Sequence, residues 1–264
     1  MAALGRSTWP ELAGTRPLVL LPLGSTEQHG PHLPLDTDTR IARAVARGLA
    51  DRLTPLLVAP ALPFGASGEH AGFAGTLSAG TEALAHLLVE IVRSADDTAA
   101  AVVLVNAHGG NLDALRAASR TLALEGRPVH LWSPSAALAA TVGVPAADRD
   151  LHAGRAETSL LLHLAPELVR LERATAGVSP PLADLIARGV APLSPSGVLG
   201  DPAGASAAEG ARLLEAYVQD AVDRLLRWAR RRGLPVAHPP AATAPGTATA
   251  SGTTAMTSGT GEQT

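Results

Sequence analysis

The chain has 264 residues, 46% of them apolar, and 21 basic residues against 24 acidic ones give a net charge of −3. This composition is typical of a folded, slightly acidic protein. It disfavours nucleic acid as a partner, because no surplus of positive charge is available to neutralise phosphates. The chain contains neither cysteine nor lysine, which excludes disulfides, thiolate metal sites, Schiff bases and a Walker lysine.

No apolar run reaches the roughly 18 residues of a membrane-spanning helix. Residues 1–10 also lack the apolar segment of a signal peptide. We therefore expect a cytoplasmic protein with no membrane partner.

Short apolar runs alternate with helical patterns along the first 164 residues. Strands are predicted at 16–23, 56–61, 101–106 and 128–132, and helices at 38–53, 81–94, 112–124 and 152–164. The glycine-rich residues 64–79 show little periodicity and are predicted to form a loop. Because strands and helices alternate, we expect one α/β domain with three layers, α/β/α, around a mostly parallel, doubly wound sheet.

The last third of the chain has three parts. Residues 176–208 are rich in Pro, Gly, Ser and Ala, and we expect an ordered excursion in which Leu182, Leu185, Ile186 and Val198 pack. A helix is predicted at 209–231, docked on the body by its apolar face. The remaining residues offer too little apolar surface to offset the entropy of ordering them. We therefore predict a folded domain over residues 1–236 and a disordered tail over 237–264.

The first polar cluster follows the first predicted strand, in GSTEQHGPHLPLDTDT at 24–39. Its potential ligands are Glu27, His29, His32, Asp36 and Asp38. In an open α/β sheet, the loops at the carboxyl ends of the strands hold the ligand, and Zn, Mn and Fe(II) accept His, Asp and Glu. The alternative is a turn in which Asp36 or Asp38 caps the next helix, but it does not explain Glu27 and His29 at a strand end.

The second cluster is NAHGGN at 106–111, again directly after a predicted strand. His108 should therefore emerge at the same edge of the sheet as the first cluster. Gly109 and Gly110 allow close approach of a ligand to the backbone, and Asn111 can cap the following helix. Two other interpretations stay open: a phosphate-binding loop, although the GxGxxG spacing and a lysine are missing, and a purely structural His108.

The third cluster is DLHAGRAETS at 150–159. If the helix runs through it, Glu157 shares a stripe with apolar residues, and a carboxylate there needs either an arginine or a metal as partner. His152, one turn earlier, is a candidate for proton transfer or for a helix cap. His70 and Glu69 in the glycine-rich loop are placed to close over a substrate, unless that loop is a plain connection.

Together, the three clusters resemble those of the creatininase family of metal-dependent amidohydrolases, where they occur in the same order. The resemblance covers about residues 18–164 and implies a homo-oligomer with a two-metal site, holding Zn, Fe(II) or Mn. A narrower likeness rests on GASGEHAGFAGT at 65–76 and SPSGVLGDP at 194–202. These segments resemble the branch that serves mycofactocin biosynthesis, in which a peptidase removes a C-terminal Val-Tyr-derived dipeptide from a modified, ribosomally made precursor peptide.

Carried over by matching motifs, the resemblance implies that Glu27, Asp38 and His108 bind one metal. His29 and a bridging Asp38 would bind the other. Two positions depart from the family: Ala107 replaces its more usual glycine, and Gly110 stands where creatininase itself has a glutamate ligand. From the buried-carboxylate argument, Glu157 is our substitute for that ligand.

The implied reaction is attack of metal-activated water on an amide carbonyl. His152 is the candidate to protonate the leaving nitrogen, and the backbone amides of Gly109 and Gly110 are candidates to bind the oxyanion. His70 and Arg155 are expected to bind substrate, with Arg155, or an arginine of a neighbouring subunit, holding a terminal carboxylate. Two other functions remain: a hydrolase of a small cyclic amide or formamide, and a binding protein that has lost a ligand.

Overall fold

The computed structural model describes residues 3–144 and 150–239. Its strands are β1 (Leu18–Leu23), β2 (Leu56–Val58), β3 (Ala101–Asn106) and β4 (Val129–Trp132). Its α-helices are α1 (Trp9–Leu12), α2 (Thr37–Arg52), α3 (Thr81–Ala95), α4 (Leu112–Leu124), α5 (Ala136–Thr141), α6 (Arg155–Leu164), α7 (Leu182–Arg188) and α8 (Ala207–Arg231). Single 3-10 turns lie at Leu4–Arg6, Gly68–His70, Gly109–Asn111, Pro166–Leu168 and Leu171–Arg173.

The four strands form one parallel sheet in the order β2-β1-β3-β4. In this sheet Leu18 of β1 pairs with Leu56 on one side and Ala101 on the other. Strand β1 therefore lies inside the sheet, with β2 on one side of it and β3 and β4 on the other. This is the doubly wound topology that the alternating pattern predicted.

Helices cover both faces because side chains along each strand point alternately to opposite sides. In β1, Leu18 and Leu20 pack into a core shared with α2, α6 and α8, whereas Leu21 and Leu23 pack into a second core shared with α3 and α4. The α/β fold with three layers is therefore confirmed. In the described part of the chain, no helix has the length and apolar character needed to cross a membrane.

Three local predictions about helix ends differ from the structure. The helix predicted from His152 begins at Arg155, because Ala153 has a positive φ of 52° and His152 pairs in an extended bridge with Leu199. Asp38 lies in the first turn of α2, and the N-cap position belongs to Asp36, the other candidate, which makes no side-chain capping bond. Asn111 occupies the N-cap position of α4, as predicted, but makes no capping bond, because its side chain bonds to other loops.

The excursion at 176–208 is ordered, as expected, but its packing differs from the prediction. Val198 is buried, whereas Leu182 and Ile186 of α7 are exposed. Helix α8 begins two residues before the prediction, and its cap is Ser206, whose hydroxyl accepts from the backbone of Glu209. Most of the predicted tail at 237–264 lies outside the described residues, and the boundary at 236 stays a prediction.

Candidate metal centre

The predicted site residues converge where the chain changes direction across the sheet. Strands β1 and β3 are neighbours, but β1 leads into α2 on one face and β3 leads into α4 on the other. The loops after such a strand pair diverge and leave a crevice, which is where ligands bind in open α/β sheets. Residues 24–36 and His108 both lie at this crevice, so the first two clusters meet there.

Asp38 lies at the middle of the cluster. Its Oδ1 is 3.2 Å from Nε2 of His29, and its Oδ2 is 3.2 Å from Nδ1 of His108. The hydroxyl of Ser25 donates to Oδ2 at 2.5 Å. Burial would raise the pKa of the Asp38 carboxyl, but the two imidazoles hold that pKa well below its usual value. An ionised carboxylate with one oxygen directed at each imidazole is suited to bridge two cations.

Backbone carbonyls orient the two imidazoles. Nδ1 of His29 donates to the carbonyl of Glu27 at 3.1 Å, which leaves Nε2 facing Asp38. Nε2 of His108 donates to the carbonyl of Ala66 at 3.1 Å, which leaves Nδ1 facing Asp38. Such bonds fix the ring and the free nitrogen of a metal-binding histidine.

The surroundings of both rings are strongly anionic. Burial would lower the pKa of each histidine. The carboxylates outweigh that effect, chiefly Asp38 for His29 and Glu27 for His108, and raise both pKa values to about 10. The carboxylates thus create a site that favours positive charge.

Glu27 is the most deeply buried carboxylate of the cluster, with no solvent-exposed surface. Its oxygens lie 3.2 Å from Nε2 of His70 and of His108, but neither oxygen is in hydrogen-bonding geometry with a donor from the described residues. Burial raises the pKa of Glu27 to about 7. A buried carboxylate without a partner is costly, and a bound cation would remove that cost.

Glu157 projects from the first turn of α6 into the cluster. Its Oε2 accepts from the backbone amide of Ala153 at 2.6 Å and lies 3.9 Å from Nε2 of His29. Burial raises the pKa of the Glu157 carboxyl to about 7. Among the described residues no arginine pairs with it, so the structure favours the metal over an arginine as its partner.

These side chains form overlapping sets of possible metal ligands, and within each set the ligand atoms lie within 4.8 Å of one another. The sets are Glu27, Asp38 and His108; His29, Asp38 and Glu157; and Glu27, His29 and His152. The first two share Asp38 and contain the five ligands expected from the sequence. Three carboxylates and two oriented imidazoles form a donor set that suits a divalent cation.

Gln28 organises the inner wall of the site, and its role was missed from the sequence. Its side-chain amide lies 2.9 Å from Nδ1 of His70 and donates to the carbonyl of Gly197 at 3.1 Å, while Nε2 of His152 donates to the carbonyl of Gln28 at 2.7 Å. These bonds direct Nε2 of His70 and Nδ1 of His152 toward Glu27. Its position between Glu27 and His29 in the motif was the one available signal.

A cavity of about 700 Å³ opens onto the cluster. His70, His108, His152 and Glu157 line it, but Arg155 does not. Arg155 instead forms a double-bonded ion pair with Glu209 of α8, at 2.6–3.1 Å. The structure thus brings together the five expected metal ligands, His70 and His152, but not Arg155. The other two candidate ligands of the first cluster are not in the ligand sets, since His32 contacts the hydroxyl of Thr158 at 2.9 Å and Asp36 accepts from Arg40 at 2.8 Å. Among the described residues, Arg188 is the arginine that lines the cavity.

By the resemblance to creatininase, Gly110 occupies the position of a glutamate ligand. A Cβ at this position would lie 2.3 Å from the Ala66 carbonyl and 2.3 Å from Oε1 of Glu69. The carboxylate of Glu69 therefore occupies the space beside Gly110, 3.6 Å from Nε2 of His108. The absence of a side chain at 110 brings the glycine-rich loop against the cluster.

A three-layer α/β domain with a buried His, Asp and Glu cluster at the carboxyl edge of its sheet is the arrangement of a metal-dependent hydrolase. The family model described as creatinine amidohydrolase matches residues 5–225. The chain belongs to this creatininase family of metal-dependent amidohydrolases.

Two curated relatives differ in how closely they match. The chain is 50% identical over 240 residues to the mycofactocin precursor peptide peptidase of Mycobacterium ulcerans, covering 86% of this chain and 92% of that protein. It is 30% identical over 258 residues to the creatinine amidohydrolase of Pseudomonas putida, covering 84% and 95%. Both relatives are hydrolases of C–N bonds, and so is this protein.

Solved creatininases share the fold. A tryptophan-to-alanine mutant of creatininase superposes with a TM-score of 0.69 at 28% identity, covering 89% of this chain and 99% of that one. A manganese form of creatininase gives 0.66 at 27% identity, covering 89% and 99%. The sheet and its flanking helices are therefore those of the family.

Proposed function

We propose that this protein is a peptidase that releases the C-terminal Val-Tyr-derived dipeptide from the modified mycofactocin precursor peptide. The main support is the 50% identity over 240 residues to a mycofactocin precursor peptide peptidase. The expected ligand residues also converge on a cavity of about 700 Å³. That volume is in the range that encloses a small-molecule-sized group, which suits a dipeptide-derived fragment.

Two divalent ions would be held per subunit, one by Glu27, Asp38 and His108, the other by His29, Asp38 and Glu157. The unpartnered oxygens of Glu27 and the central position of Asp38 support this assignment. Zn, Fe(II) and Mn all accept such ligands. When bound, the ions lower the pKa of water and polarise the scissile carbonyl.

The chain's own groups would supply the remaining chemistry. His152 faces the cluster through Nδ1 while its Nε2 donates to the Gln28 carbonyl, so Nδ1 carries no proton in the neutral ring. We assign to Nδ1 the acceptance of a proton from the attacking water and the delivery of that proton to the leaving nitrogen. His70 lines the cavity beside Glu27 and is assigned to substrate binding. Arg155 is not assigned to substrate, since Glu209 already binds it.

Hydrolysis of a small cyclic amide is the alternative, and the 30% identity to the creatinine amidohydrolase of Pseudomonas putida favours it. The higher identity to the peptidase outweighs it. A binding protein that has lost its chemistry would lack at least one ligand, whereas all five expected side chains converge. A homo-oligomer and a cytoplasmic location stay predictions.

The test is mass spectrometry of the modified precursor peptide after incubation with metal-loaded protein. We expect loss of the terminal dipeptide fragment, abolished by a chelator and by Glu27→Gln or His108→Ala. The matched control is Glu90→Gln, on the exposed face of α3, which should cleave like the wild type. An intact peptide together with hydrolysis of creatinine would favour the alternative.

A further inference from the structure

One part of the cavity lining is apolar and comes mainly from one short helix. Leu182, Leu185 and Ile186 of α7 line the cavity, and so does Val190, two residues after the helix ends. Leu182 is 62% exposed and Ile186 is 76% exposed. Large apolar side chains that face a reactive cavity and remain accessible are typical of a binding site.

Helix α7 is tied to the loop that carries His70. The backbone amide of Val190 donates to the carbonyl of Glu69 at 2.7 Å. Gly189 has a positive φ of 72°, and a Cβ there would lie 3.0 Å from the same carbonyl. The end of α7 therefore packs closely on the glycine-rich loop, and this contact fixes the apolar wall relative to the metal cluster.

The cavity is too small for a whole precursor peptide, so it can enclose only the groups close to the scissile bond. With the scissile carbonyl at the cluster, the short released fragment is the part that fits inside. We propose that α7 forms the leaving-group subsite, in which Leu182, Leu185 and Ile186 contact the aliphatic and aromatic side chains of the released fragment. This inference rests on the proposed peptidase function.

Arg188 adds a polar contact to this subsite. It ends α7, lines the cavity, and forms no ion pair with any carboxylate of the described residues. Its guanidinium is available to donate to an oxygen of the released fragment. A fragment with apolar side chains and one oxygen acceptor matches both parts of the wall.

The test compares the double variant Leu182→Asn/Ile186→Asn with Leu171→Asn, a 48%-exposed leucine outside the cavity. We measure kcat and KM on the modified precursor peptide, inhibition by the released fragment, bound metal, and mass by light scattering. We expect the double variant to lower kcat/KM and weaken product inhibition at least about 10-fold, since apolar contact area is lost. Bound metal and mass should match the wild type, and Leu171→Asn should change nothing.

Each other outcome has a defined meaning. Wild-type kcat/KM and wild-type product inhibition in the double variant would overturn the subsite. A smaller assembly with unchanged product inhibition would also overturn it and would show that α7 contacts a second copy of the chain. If the wild type cleaves no peptide, the proposed function fails and the subsite fails with it.

Discussion

The sequence predicted that Arg155 binds substrate, whereas in the structure Arg155 forms an ion pair with Glu209. Substitution of Arg155 distinguishes these two roles. Its guanidinium binds both oxygens of Glu209, and the hydroxyl of Ser159 donates to the same carboxylate at 2.8 Å. Glu209 is almost completely buried. Substituting Arg155→Ala would leave that carboxylate buried with one neutral donor.

Removing one partner of a fully buried ion pair costs about 3–5 kcal/mol. Because the Arg155 side chain is 31% exposed, solvent screening reduces the loss, and we expect about 2–3 kcal/mol. For a domain of this size, that corresponds to a fall in Tm of roughly 4–12 °C. Adding Glu209→Gln to Arg155→Ala should recover part of the loss, since the orphaned charge is then gone.

The assay is urea denaturation of both variants, combined with kinetics on the precursor peptide. We expect a lower free energy of unfolding with KM within about twofold of the wild type. Unchanged stability with a KM raised tenfold or more would refute this reasoning and restore Arg155 as a substrate-binding residue.

Three further predictions concern the metal cluster and the pH dependence of stability. Gly110→Ala should reduce bound metal and activity strongly, because its Cβ would overlap the Ala66 carbonyl and Glu69. The control for a glycine substitution is Gly5→Ala, whose Cβ would meet Pro60 at an ordinary contact distance of 3.7 Å. Metal analysis measures both variants. Removing metal with a chelator should lower Tm, since the buried Glu27 and Asp38 and the partly buried Glu157 lose their cation; an unchanged Tm would contradict a bound metal. Burial and nearby arginines lower the pKa of His130 to about 4, so below pH 6.5 the unfolded chain binds more protons and stability falls. His130→Phe should remove about 1–2 kcal/mol of the stability difference between pH 7 and pH 5, and equal pH slopes in urea denaturation would contradict this.

The fold could be predicted because its signals are local. Apolar runs such as 101–106 and helical stripes such as 112–124 mark elements whose bounds the structure reproduces. The ligand cluster could be predicted for a related reason, because residues directly after buried parallel strands meet at one edge of the sheet. Glu157 could be predicted as a ligand because a carboxylate on an apolar stripe of a helix needs a partner.

The missed features depend on contacts between distant parts of the chain. Arg155 meets Glu209 from 54 residues away, and no spacing rule indicates such a pair. Helix α7 turns Leu182 and Ile186 toward a cavity whose other lining residues include Asp38 and His108, which are distant in the chain. The role of Gln28 was missed because its partners come from three other segments.

The central claim is that a two-metal centre built on Asp38 performs the cleavage. The most direct test is to titrate metal-free protein with Zn, Mn or Fe(II) while measuring bound metal and cleavage of the modified precursor peptide. We predict that cleavage rises to a plateau at two equivalents per chain in the wild type, and that Asp38→Asn binds fewer ions and stays inactive. Full activity without metal, or full metal binding and activity in Asp38→Asn, would contradict it.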